Sequence, residues 1–179
     1  MITVVTGGAR SGKSSHVVRL GMRHPGPVVF VATAPVLDDD METRIARHRA
    51  ERPDWPTVEE PHDFSATITS ASGDTMVIVD CITLWVSNLL RRGDYDEEVA
   101  TTASQLAENA RTSPAHIVLV TNEVGLGVHP ETELGRRYRD LLGRVNQILV
   151  AQADRALFMV SGRVLLLSDP GGDSEKGSP

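Results

Sequence analysis

Ile2-Thr3-Val4-Val5-Thr6-Gly7-Gly8-Ala9-Arg10-Ser11-Gly12-Lys13-Ser14 begins one residue into the chain, and its reading decides the fold. The run from Ile2 to Thr6 has the composition of a strand buried on both faces. Gly7 to Ser14 then match G-x-x-x-x-G-K-[ST] in a strand-loop-helix setting. Glycines let the backbone wrap a phosphate chain, so that successive N–H groups and the positive helix end point inward. Lys13 adds a mobile charge and Ser14 a hydroxyl able to ligate magnesium. The alternative is a Gly-rich turn before an ordinary helix.

Outward from that loop, three more β-rich runs appear at Val28 to Thr33, Thr75 to Asp80 and His116 to Thr121. Segments of helical spacing lie among them at Lys13 to Met22, Asp39 to Glu51, Ile82 to Arg91 and Asp96 to Arg111. This alternation predicts an α/β fold with a mostly parallel sheet. A long amphipathic stretch, about Pro130 to Gln152, carries Leu134, Tyr138, Leu141, Leu142, Val145, Ile148 and Leu149 on one stripe, to pack on the sheet or on a neighbouring subunit. Two last β runs, Ala156 to Ser161 and Val164 to Leu167, are separated by Gly162 and Arg163, so the sheet should end in an antiparallel hairpin edge. From Ser168 onward no apolar residue is available for burial, and residues 168–179 are expected to be a disordered tail behind one catalytic domain over 1–167.

The 179 residues are 40% apolar and 23% charged, ordinary for a globular chain, which excludes disorder or a fibrous repeat as the main state. Lys plus Arg number 18 against 24 Asp plus Glu, a net charge of −6, so general affinity for nucleic acid or an anionic membrane is not expected. No apolar run approaches the roughly 20 residues that span a bilayer, and the N-terminus lacks a basic n-region and cleavage site. A single cysteine, Cys81, excludes an intramolecular disulfide and suits a reducing, cytoplasmic compartment. His16, His24, His62, His116 and His129 show no metal-binding spacing.

A phosphate loop needs an acid at the end of a nearby strand to hold magnesium or its water, and Val77-Ile78-Val79-Asp80 supplies one. The competing role for Asp80 is an N-cap of the next helix; Cys81 reads as a small buried residue. A helix from about Asp39 would place Arg44, His48 and Arg52 on one face, with Glu51 beside them. Such a histidine suits chemistry on phosphate, since guanidinium groups bind phosphoryl oxygens and favour neutral imidazole. A solvated face of alternating charge is the plainer alternative. Asn122-Glu123 lies where α/β sheets bind ligands, and either ligand contact or loop capping is open to it.

With these residues in view the chain resembles the bifunctional adenosylcobinamide kinase/adenosylcobinamide-phosphate guanylyltransferase family of cobalamin assembly. The resemblance rests on the loop Gly7-Gly8-Ala9-Arg10-Ser11-Gly12-Lys13-Ser14 and on the segment from Ala32-Thr33 through Arg44-Ile45 and His48. It continues through Arg52-Pro53-Asp54-Trp55-Pro56-Thr57-Val58-Glu59, Asp80 to Leu90, Val120 to Gly127 and Arg139 to Gln147. It implies a P-loop NTPase, RecA-like, three-layer sandwich. The implied first activity is phosphorylation of the aminopropanol hydroxyl of adenosylcobinamide by ATP or GTP. In the second, GMP passes from GTP through a GMP-histidine to give adenosylcobinamide-GDP and pyrophosphate. Lys13 and His48 become the catalytic residues. Nucleotide contacts fall on Gly7 to Ser14 (including Gly8, Ala9, Arg10, Ser11 and Gly12), Thr33, Ala34, Pro35, Arg49, Ala50, Glu51, Arg52, Glu59 and Asp80. Mg2+ falls to Ser14 and Asp80, and the assembly to a homotrimer. Some relatives carry Glu at the position of Asp80 and a second histidine at that of Arg47. A monofunctional small-molecule P-loop kinase, and a nucleotide switch acting on a protein partner, are the competing functions; the chain has no N-K-x-D guanine-reading motif.

Overall fold

The computed structural model describes residues 1–35, 46 and 49–167. Seven strands, β1 (Ile2–Gly7), β2 (Val28–Ala32), β3 (Thr57–Glu59), β4 (Met76–Asp80), β5 (His116–Val120), β6 (Arg155–Val160) and β7 (Arg163–Leu167), form one sheet in the order β3-β2-β4-β5-β1-β6-β7. Every neighbouring pair is parallel except β6 with β7. Helices with all residues described are α1 (Lys13–Arg23), α2 (Ser65–Thr69), α3 (Ile82–Arg92), α4 (Asp96–Thr112) and α5 (Glu133–Ala151).

The sheet is sandwiched because its strands are apolar on both faces. Val5, Phe30, Ile78, Val118 and Leu157 turn to one face, where Val17 of α1 packs on them. Val4, Val31, Val79, Ile117 and Leu119 turn to the other, covered by Ile68 of α2, Trp85 of α3, Leu106 of α4 and Leu142 of α5. Each such fully buried aliphatic contributes about 1.5–3 kcal/mol. Trp85 is 2% exposed, and its indole Nε1–H donates to the His62 carbonyl at 2.7 Å while its ring meets Phe64 edge-on.

Helix ends follow local chemistry. α3 stops at Gly93, whose φ of 106° lets its N–H and that of Asp94 reach back to the last turn. α4 begins with Asp96, Glu97 and Glu98 on its positive end, and the Glu98 carboxylate accepts from the Tyr95 N–H at 2.7 Å. α5 begins after Thr132, whose hydroxyl accepts from the Gly135 N–H, so Pro130 stands outside the helix expected from its periodicity.

The expected hairpin is present with a shifted turn. Ser161 and Gly162, at φ 50° and 75°, make the connection in place of Gly162 and Arg163. Two-residue hairpin loops of this hand need φ above zero at both positions, and Arg163 is left free to pair in β7. β3 and α2 were not expected from the sequence. Most of the anticipated Asp39 to Glu51 helix, with Arg44 and His48, and the anticipated tail 168–179 lie outside the described residues. Among the described residues no helix is long and apolar enough to cross a membrane.

The edge of the sheet away from the phosphate loop holds a titrating group. His116 opens β5, with Nε2 2.9 Å from Thr3 Oγ1 and its ring edge-on to His24. Burial, then the N-terminal ammonium, His24 and Arg155, lower its pKa to about 4, against an opposing pull from Asp154. A histidine with a depressed folded pKa stabilises fully above its unfolded value of about 6.5 and loses that contribution as pH falls toward 4. Allowing for solvent screening at a partly exposed ring, about 1–2 kcal/mol should disappear over that window. Denaturant melts of His116→Asn should show a flatter pH dependence between pH 6.5 and 4 than the parent; parallel curves would refute the assignment.

Candidate active site

The loop after β1 is shaped by close packing. Gly7 pairs with Met159 of β6 at φ 146°, and a Cβ there would lie 2.3 Å from the Met159 carbonyl oxygen, so no other residue fits. Gly12, at φ 99°, is the N-cap of α1, and the hairpin turn closes over it: the Gly162 N–H donates to the Ser11 carbonyl at 2.9 Å. Ser11 is buried, while Ala9 and Arg10 are exposed and Gly8 is half-buried. Lys13 opens α1 with its side chain folded into the loop, where Nζ donates to the Gly7 and Gly8 carbonyls at 2.7 Å each. Burial lowers the ammonium pKa from its ordinary value, and the nearby Asp80 charge opposes that.

Register brings the acids to the same sheet edge. Ala32 of β2 stands opposite Asp80 on one side and Glu59 on the other. At strand spacings of about 4.8 Å the two acidic residues are about 10 Å apart along one row. Asp80 precedes Cys81, the N-cap of α3, and Cys81 makes no side-chain capping bond. Burial pushes the Cys81 thiol up to about 12, which leaves it protonated and inert at neutral pH.

A cleft of about 310 Å³ opens beside the loop between α1 and the β2–β4 side of the sheet. Ser14, Arg19, Phe30, Glu51, Arg52 and Asp80 line it. Residues far apart in sequence thus meet, with both proposed magnesium ligands and one proposed phosphate-binding arginine in one concavity. Arg49 and Ala50 are exposed beside it, and Glu59 is exposed on β3. Thr33 is fully buried and faces the protein interior. Its hydroxyl donates to the Cys81 carbonyl at 2.7 Å and accepts from the Cys81 N–H at 2.8 Å, while Asn88 Nδ2 donates to its carbonyl. Ala34 and Pro35 come next, half-buried. The Glu123 N–H donates to the Gly7 carbonyl at 3.1 Å, and its carboxylate accepts from the Gly125 N–H, so this residue braces the loop and its own turn. Sequence reasoning missed Phe30 and Arg19 as cleft residues. Phe30 sits inside a strand where only core packing is legible, and Arg19 is one of several cations on α1.

The family profile described as "Cobinamide kinase / cobinamide phosphate guanyltransferase" matches residues 3–167. The chain belongs to this family. It is 42% identical over 176 residues to the bifunctional adenosylcobalamin biosynthesis protein CobU of Escherichia coli (strain K12), covering 90% of this chain and 97% of that protein. To the bifunctional adenosylcobalamin biosynthesis protein CobP of Pseudomonas aeruginosa it is 42% identical over 164 residues, covering 90% and 94%. The fold is similar to that of a type III secretion system ATPase, with a TM-score of 0.57 at 12% identity, over 88% of this chain and 50% of that one. This structural likeness concerns the α/β fold alone. The residues matched by the family profile run from within β1 to the end of β7. Among the described residues no three His, Cys, Asp or Glu side chains are grouped so as to hold a metal ion by themselves.

Proposed function

We propose that this chain phosphorylates the aminopropanol hydroxyl of adenosylcobinamide with ATP or GTP. It then transfers GMP from GTP, through a GMP carried on His48, to give adenosylcobinamide-GDP and pyrophosphate. The observation that carries the reading is the convergence of Ser14, Arg52 and Asp80 on one cleft beside the Lys13 loop. The phosphate chain lies along the loop N–H groups, with the positive end of α1 and Lys13 favouring its charge. Arg52 extends that positive surface toward β2, where a second phosphoryl group is bound. Gly7, Gly8 and Gly12 keep the backbone close enough for those contacts without a side chain between. A hydroxyl and a carboxylate on one cleft are hard oxygen donors suited to Mg2+, which when bound offsets charge on the phosphate oxygens. The corrinoid is the acceptor.

The family profile over the whole domain speaks against a monofunctional kinase or a protein-acting switch. A free Cys81 thiol and nucleotide substrates fit the cytoplasm. Homotrimer formation is supported by β7, whose five residues are all exposed, with Leu165 at 54% and Leu166 at 69%. Apolar side chains on both faces of an outer strand need cover, and residues 168–179 hold none to provide it.

The test is incubation with labelled GTP, with and without adenosylcobinamide phosphate, on protein whose mass in solution is measured by sedimentation. Label should collect on the protein without acceptor and move to a corrinoid product when acceptor is added, in a particle three times the 19.4 kDa chain. Hydrolysis without transfer to either would refute the enzyme; a monomer would refute the trimer.

A further inference from the structure

We propose that Phe30 and Thr57 are positioning residues that hold the Arg52 guanidinium in the one orientation that serves a nucleotide phosphate in the cleft; this rests on the reading of that cleft as the nucleotide site. Parallel pairing of β2 with β3 sets Phe30 opposite Thr57, and the Phe30 N–H donates to the Pro56 carbonyl at 2.9 Å, which fixes the register. Arg52, five residues before Thr57, returns over this pair. Its Cζ lies 4.0 Å from the centre of the Phe30 ring, and its NH2 group donates to Thr57 Oγ1 at 2.9 Å. Thr57 Oγ1 in turn donates to the Trp55 carbonyl at 3.0 Å, so its proton is committed and a lone pair is left to receive the guanidinium. Trp55 is fixed from the far side: a Cβ on Gly21 of α1 would come within 2.5 Å of its ring.

Phe30 thus supports one face of the guanidinium and Thr57 one edge, and the same Phe30 and Arg52 line the cleft with Ser14 and Asp80. A free arginine side chain must surrender considerable rotamer freedom to bind phosphate. A guanidinium already stacked and hydrogen-bonded gives up less, and its planar fork is set before the ligand arrives. Burial and the neighbouring Arg49 charge lower the Arg52 pKa from its ordinary value, yet the group stays protonated, so the clamp orients the cation and does not create it.

Titration of mant-GTP into the full chain would read the effect. Thr57→Val keeps the side-chain shape and suits a strand, but cannot accept the bond, and should weaken GTP binding about tenfold with an unchanged melting temperature. Thr57→Ser should restore affinity to within about twofold of the parent, and Phe30→Leu should weaken it several-fold. In an Arg52→Ala background, Thr57→Val should have no further effect, because its influence passes through the missing guanidinium. Parent-like affinity in Thr57→Val, or an equal loss with and without Arg52, would overturn the positioning role. If Arg52→Ala itself bound GTP as the parent does, the reading of the cleft would fall. That outcome is distinct from a loss in Arg52→Ala with parent-like binding in Thr57→Val, which sinks only the clamp.

Discussion

Lys13→Ala should lower phosphoryl transfer to adenosylcobinamide by ~10³-fold or more while the protein still melts cooperatively. A cation aimed at the transferring group acts on the charge that develops in the transition state, and removing such a donor costs orders of magnitude in rate. Its structural role is smaller. Nζ bonds the Gly7 and Gly8 carbonyls, but it also carries a desolvated charge, and the two contributions largely offset each other. The melting midpoint should therefore move by no more than about 2 kcal/mol equivalent. Labelled ATP assayed for transfer to the corrinoid, beside a thermal melt, separates the two. Parent-like turnover by a folded variant would remove the loop lysine from the reaction.

His48→Ala should abolish guanylyl transfer and retain measurable kinase activity, which divides the reaction at its covalent step. In the proposed reaction an imidazole nitrogen attacks the α-phosphorus of GTP, the bond to the β-phosphate oxygen breaks, and pyrophosphate leaves with its electrons. Transfer to the acceptor phosphate then breaks the phosphorus–nitrogen bond and frees the histidine. Protein carrying label from α-labelled GTP should lose it in acid and keep it in alkali. Labelling should fall as pH drops through the histidine range, near 6.5 for an unperturbed ring, because the protonated ring has no lone pair to offer. Equal protein-bound counts on the parent and on His48→Ala would assign the nucleophile elsewhere.

The fold was legible where one physical requirement dominated the sequence. Strands buried on both faces must be apolar throughout, so β1, β2, β4 and β5 announce themselves, and a phosphate loop needs its glycines at fixed positions. β3 was hidden because three residues, Thr57 to Glu59, behind Pro56 hold too little pattern to separate from a loop. The site was legible only as an inventory. Ser14, Arg52 and Asp80 could be named from their types, but their meeting depends on β2 lying between β3 and β4, an order that periodicity does not encode. Thr33 shows the opposite limit: a hydroxyl next to a proposed ligand is turned to the Cys81 main chain, where it accepts from the N–H and donates to the carbonyl.

The first strand of the chain lies between β5 and β6, and the turn after β6 clasps the phosphate loop through Gly162 and Ser11. During synthesis β1 is made before the other strands, yet its two neighbours, β5 and β6, follow β2, β3 and β4 in the chain. The Ile2 N–H waits for Asp154, 152 residues later, to reach its 2.6 Å partner. Vectorial folding from the N-terminus is therefore closed to this domain, since an emerging chain holds a nucleotide loop with nothing on either side of it. Competence for nucleotide therefore waits on the β6–β7 hairpin, whose turn closes over a loop made long before it.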